Sequence, residues 1–264
     1  MRKTLPLLCL TLLAFSLAAC GGDDDGGATQ AVEIFFAPDK ADASAHAALP
    51  DVADLPGEGW TVVARDDFSE GDDEDDLDFE AFAAGEPSCA AMNNLAEFAS
   101  VFGDDEDDPP AGHAQIEFER SLDDTFVPSS IEVDVEIQSS VADVECVWQL
   151  VKGILESGDM QNCFIALFND QFKELSEDSG FKIEVTSTRA TSTPPRGGSS
   201  MAFNINMELD DFVADIEMQM YLWPYGNAGV TLMFLGDAEM LDQALTDEVV
   251  KTVDGKLEAA AQSQ

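Results

Sequence analysis

Basic side chains are scarce in this chain. Its 264 residues hold 12 Lys and Arg against 54 Asp and Glu, a formal net charge of −42. That imbalance excludes nucleic acid as a partner, because a phosphate backbone would be repelled. It also disfavours simple adhesion to anionic lipid. Such a charge fits saline surroundings, where repulsion is screened within about 8 Å at physiological ionic strength. Histidine is scarcer still, with only His46 and His113. Neither stands in a recognisable nucleophile motif. Gly-x-Ser-x-Gly, His-Glu-x-x-His and paired Cys-x-x-Cys knuckles are all missing. Gly197-Gly198-Ser199-Ser200 lacks the lysine and the spacing of a phosphate loop and reads as a turn. Carboxylates are too numerous for any one pair to mark a glycosidase. The expectation is a protein that is not an enzyme, with no cofactor and no metal-ligand set.

Long apolar runs are missing as well. The longest, Leu5 to Leu17, follows Arg2 and Lys3 and is too short to span a bilayer, so Met1 to Ala19 reads as a secretory signal. It ends in Leu17-Ala18-Ala19-Cys20. These four residues resemble the lipobox of bacterial lipoproteins, which implies that Cys20 is acylated and becomes the mature N-terminus. Two or three acyl chains anchor stably, since each buried methylene adds about 0.8 kcal/mol and one chain alone is marginal. The expected location is the extracytoplasmic side of the cell membrane, held by lipid at Cys20. Residues 20–48 then read as the lipidated cysteine and a flexible linker, and 49–264 as a single domain.

Cysteine is sparse. Cys9 leaves with the signal and Cys20 is the anchor, so Cys89, Cys146 and Cys163 remain, an odd number for an oxidising compartment. One bridge and one leftover thiol is the simplest account. Hydrophobic residues make up 45%, enough for a true core rather than a disordered acidic tail.

What is abundant is alternation. Leu55-Pro56-Gly57-Glu58-Gly59 is turn chemistry leading into a strand from Trp60 to Arg65. Ala114, Ile116 and Phe118 alternate with polar residues, and Ile131, Val133, Val135 and Ile137 do so more strictly. Phe181 to Val185, Met201 to Leu209, Ile216 to Leu222 and Val230 to Phe234 continue the pattern, with Pro224-Tyr225-Gly226-Asn227 as a turn. Between them lie helical stripes. One starts at Ser88 with Met92, Leu95, Ala99 and Phe102, and another runs from Val141 to Leu155. A third follows Asp159 with Phe164, Leu167, Phe168 and Phe172. Asp237 is expected to cap a closing helix with Leu241, Leu245, Val249, Val253 and Leu257 facing inward. The order of elements predicts an α+β fold, an antiparallel meander with helices packed on one face.

Two near-identical acidic runs, Gly71 to Asp76 and Gly103 to Asp108, crowd hard oxygen ligands, but neither has the spacing of a calcium loop, and solvated loops are the expectation. Met201, Met207, Met218 and Met220, with Phe203 and Phe234, read first as core and second as an adaptable apolar pocket.

The lipobox, the acidic tether, the Leu-Pro-Gly-x-Gly-Trp entry, a cysteine opening the first helix, a strand–helix–cysteine block and a meander closed by a C-terminal helix occur together. This combination resembles the actinobacterial lipoproteins and kinase ectodomains that carry a PknH-like extracellular sensor domain, over roughly Leu49 to Ala260. The resemblance implies a disulfide that pins a helix to the sheet, carried over to Cys89 and Cys163. Helical geometry bears on the third thiol. Cys146 falls away from its helix's apolar stripe and, in a straight hairpin, lies about 12 Å along the axis from Cys163, beyond the roughly 7 Å limit for a bridge. The resemblance also implies an extracytoplasmic, non-enzymatic domain that binds or senses a ligand, with an apolar or envelope-derived ligand as the expected class. The alternative is a module that contacts another envelope protein, or an acidic cation-binding surface protein, without a small-molecule pocket.

Overall fold

The computed structural model describes residues 36–65, 89, 110–121, 127–141, 144, 148–149, 152–153, 158–179, 182–209 and 212–264. Cys20, Cys146, both acidic runs and the stripe from Met92 to Phe102 lie outside them.

Seven strands form one antiparallel sheet: β1 (Thr61–Arg65), β2 (Gly112–Arg120), β3 (Ser129–Ile137), β4 (Lys182–Thr188), β5 (Ser199–Leu209), β6 (Phe212–Tyr225) and β7 (Ala228–Asp237). Their order is β1-β2-β3-β7-β6-β5-β4. Two meanders are therefore joined through their last strands, with Val133 opposite Leu232 and Val135 opposite Val230. The β6–β7 hairpin turns on Gly226, whose φ of 61° is what a two-residue turn with glycine at its first central position demands.

Among the described residues, three helices with full bounds complete the α+β fold: α1 (Ala41–Ala48), α2 (Asp159–Ser179) and α3 (Gln243–Gln262). They divide between the two faces instead of sharing one. Against α1 and α3 pack Ile116, Phe118, Val133, Val135, Tyr221, Trp223, Leu232 and Phe234. Against α2 pack Val185, Met201, Phe203, Ile205, Met218 and Met220. The reason is written in β6, where Ile216, Met218, Met220 and Leu222 occupy one parity and Tyr221, Trp223 and Tyr225 the other. A strand apolar on both parities needs cover on both sides.

The domain also begins earlier than residue 49. Phe36, Ala41, Ala45, Ala48 and Leu49 are all buried in the core. Ala41, Ala45 and Ala48 share one face of α1, and their small side chains let the helix lie against β2. A Cβ on Gly112 would come within 2.2 Å of the Ala41 carbonyl carbon, so glycine alone permits that approach. Alanine-rich composition resembles a linker, yet here its methyl groups are core.

The N-terminal arm is held at the hairpin end. Asn227, fully buried, accepts a hydrogen bond from the Phe36 amide at 2.7 Å and donates to the carbonyls of Phe36 at 3.1 Å and Gln138 at 2.6 Å. The C-terminus closes the same corner, because the Ala37 amide donates to Gln264 Oε1 at 2.9 Å. Asn227→Ala strands buried backbone groups and is expected to cost about 2 kcal/mol in denaturant unfolding. An unchanged midpoint would show that the arm contributes nothing to stability.

The Leu-Pro-Gly-x-Gly-Trp entry is a structural clasp. Gly57 and Gly59 take φ of 81° and 91°. The chain thereby doubles back so that the Trp60 indole donates to the Pro56 carbonyl at 2.9 Å. The Arg120 guanidinium lies 4.4 Å from the centroid of the buried Trp60 ring. Gly57→Ala is expected to destabilise by about 1 kcal/mol, through backbone strain at positive φ. A melting temperature equal to the parent's would contradict that.

At the other end of the chain, α3 begins later than the sequence suggests. Asp242 caps it, accepting from the Leu245 amide at 2.8 Å. Asp237 ends β7 instead and accepts from the Glu239 amide at 2.9 Å. Both aspartates are followed by acceptable helix starts, and Leu241, between them, is buried in the core.

Candidate functional site

The pairing of Cys89 with Cys163 is present, with Cα atoms 4.6 Å apart and both residues buried. It ties the chain at residue 89 to the first turns of α2. From that turn Phe164, Phe168 and Phe172 follow at four-residue spacing and stack in sequence, at centroid distances of 6.1 and 6.3 Å. Phe203 of β5 meets Phe164 and Phe168 edge-on. The methionines Met201, Met218 and Met220 are buried in this same layer, Met207 is partly buried at its margin, and Phe234 lies on the opposite face. The methionine row is thus core beneath α2.

A polar cavity lies elsewhere, in the connection from β4 to β5. It has a volume of about 490 Å³ and is lined by Arg189, Thr191, Ser192, Thr193 and Ser199 among others. Its floor is fixed by side chains from three elements. The Thr191 hydroxyl donates to Gln219 Oε1 at 2.9 Å and meets Thr246 Oγ1 at 2.8 Å, while the Ser192 amide donates to the Tyr221 hydroxyl at 3.2 Å. The outer loop is pinned by Arg196, whose guanidinium stacks 4.0 Å over Tyr225 and bonds Asp254 at 2.8 Å. Ser199 is buried and its hydroxyl has no partner among the described residues. Hydroxyls and one arginine around an open volume suit a small polar or anionic ligand.

A second group of polar residues lies on the α2 side of the β2–β3 ladder. In register, His113 faces Glu136, Gln115 faces Asp134 and Glu117 faces Glu132. Those two strands thus present apolar residues to α1 and α3 and a polar column to the other face. Glu132 is only 2% exposed, and Gln115 Nε2 donates to its Oε1. Its Oε2 has no partner among the described residues. Burial, then repulsion from Glu117 and Asp134, pushes the Glu132 carboxyl up to about 8 in spite of the Gln115 bond. Glu136 is pushed up to about 7 by burial and by Asp134, with His113 opposing. Glu117 is raised by burial and by Glu119.

His113 Nε2 lies 3.3 Å from Asp134 Oδ2. One ligand atom from each of His113, Asp134 and Glu136 falls within 4.8 Å of the others. Sequence reading missed this trio because 21 residues separate His113 from Asp134, and only the strand register brings them together. The alternation of both strands was the available signal, lacking only the pairing. His46 sits on the exposed side of α1, remote in sequence and element from either group. Of the other tryptophans, Trp148 is partly buried against the α2 layer and Trp223 is buried against α3.

No protein-family model and no curated protein matches the chain. Among solved structures, the extracellular domain of PknH from Mycobacterium tuberculosis is similar at a TM-score of 0.31 and 11% sequence identity. The alignment covers 55% of this chain and 64% of that one, so this chain spans less than two thirds of that domain. No helix among the described residues is long and apolar enough to cross a membrane.

Proposed function

We propose that the chain is a lipid-anchored extracytoplasmic domain that binds or senses a ligand and catalyses no reaction. The observation that carries this reading is the buried Cys89–Cys163 bridge. Disulfides persist in oxidising compartments, and a signal ending in Leu17-Ala18-Ala19-Cys20 delivers a chain to one. The weak likeness to the PknH domain is not part of the support. The methionines that read second as an apolar pocket are core side chains beneath α2, which turns attention to another place for the ligand. The polar cavity between β4 and β5 favours a polar or anionic one from the envelope.

Palmitate labelling of cells expressing the full chain or Cys20→Ala tests the anchor. Label in the first and none in the second is expected, whereas an unlabelled, protease-protected parent would sink the placement. Native mass spectrometry of the detergent-extracted protein tests the binding. A reproducible polar adduct is expected, and a bare mass transfers weight to a second reading.

That second reading is an envelope interaction module without a small-molecule pocket. It draws on β1, an edge strand with Val62 and Val63 both exposed. Edge strands with apolar side chains accept a partner's strand. Crosslinking from position 62 to an envelope protein, abolished by Val63→Lys, is its expected signature.

A further inference from the structure

We infer that His113, Asp134 and Glu136 form a site for one divalent transition-metal ion, of the zinc type, on the α2 side of the β2–β3 ladder. This goes beyond the binding-domain reading, since the site stands whether or not the chain is lipidated or takes a ligand in the β4–β5 cavity.

The register builds the site. His113 and Glu136 are direct cross-strand partners, and Asp134 is the diagonal neighbour of His113 on the same face. All three ligand atoms already lie within 4.8 Å of one another, with imidazole and Asp134 at 3.3 Å. A tetrahedral ion with ligand bonds of roughly 2.0–2.2 Å places its ligands about 3.4 Å apart, so closure needs side-chain adjustments of about 1 Å. The backbone beneath is a continuous ladder that need not move.

Two further observations point to a cation there. Glu132 stands two residues before Asp134 on the same face, nearly fully buried, with Oε2 unpartnered among the described residues. Carboxyl oxygens crowded on one face are satisfied by a shared proton or by a cation, and no lysine or arginine is paired with any of these acids among the described residues. Beside Glu136 the β7 partner is Gly229, and among the described residues a Cβ there would meet nothing within 4 Å, an opening on that face of the ladder. With His113 42% exposed, that opening gives an ion its entry and leaves room for water as a fourth ligand.

The donor set decides the ion's class. One imidazole nitrogen with two carboxylate oxygens suits zinc and its neighbours, while calcium and magnesium take oxygen alone. The site is therefore distinct in chemistry from the two acidic runs.

The test uses the full chain in detergent, stripped with EDTA, in a Cys146→Ser background that removes Cys146 as a competing ligand. Zinc is titrated calorimetrically with calcium in excess to occupy oxygen-only sites. A saturable event of one zinc per chain is expected. His113→Ala and Asp134→Asn should each weaken it by about tenfold or more. Zinc should also raise the melting temperature of the parent and not of the variants. His113→Asn, which keeps a hydrogen-bonding side chain, serves if His113→Ala folds poorly. No saturable zinc event in the parent, or variants that bind as the parent does, overturns the inference.

Discussion

Reducing the Cys89–Cys163 bridge is expected to lower unfolding stability by about 4 kcal/mol. The bridge closes a loop of 74 residues in sequence separation. In the chain-entropy account, that much constraint on the unfolded chain corresponds to about 4 kcal/mol at 25 °C. Two structural facts bear on whether the native side adds to or subtracts from it. Both cysteines are buried, and Cys163 precedes the stacked Phe164, Phe168 and Phe172, so a freed α2 also loosens its seat on Phe203. A Cys89→Ser, Cys163→Ser double variant removes the bridge without leaving one thiol to mispair. Denaturant unfolding of that variant, against the oxidised parent, should show the loss in the midpoint. A difference below about 1 kcal/mol would mean that the segment around Cys89 is held by other contacts.

The second large effect concerns Glu132. Its carboxyl is raised in the fold to about 8 from an ordinary 4.5, first by burial and then by Glu117 and Asp134. A raised acid favours the protonated fold. Below pH 4.5 both folded and unfolded states hold the proton, and the group is neutral to stability. Between 4.5 and 8 the unfolded chain releases the proton while the fold keeps it, so stability falls as pH rises. Above 8 the penalty is complete. Glu132→Gln keeps an oxygen to accept from Gln115 and removes the ionisation. In EDTA-containing buffer it is expected to stabilise the protein by on the order of 2 to 3 kcal/mol at pH 7, and by little at pH 4.5. Equal gains at both pH values would show that packing, not ionisation, is what the substitution changes.

The strands were legible because each carries a clean period of two. The turns were legible because glycine marks them, with Gly57, Gly59 and Gly226 all at positive φ. Three features were not. Helix α1 hides in an alanine-rich stretch whose polarity matches a tether. The cover on both faces depends on Tyr221, Trp223 and Tyr225, which an aliphatic reading of β6 passes over. The grouping of His113 with Asp134 and Glu136 follows from a register that a two-residue slip would erase. Composition spoke about environment and periodicity about local form. Neither speaks about which strand lies beside which.

The hold of Asn227 on Phe36 spans 191 residues. In a chain synthesised from its N-terminus, the arm emerges before any of the strands that will receive it. Its dock is among the last structures to form, since it needs the β6–β7 turn, Gln138 and the C-terminal Gln264 together. Pairings of such separation are slow to close. The arm is thus a completion mark. A chain interrupted before residue 227 lacks the Asn227 dock for Phe36 and the helix α3 that covers Ala41 and Ala45. A finished chain hides all three.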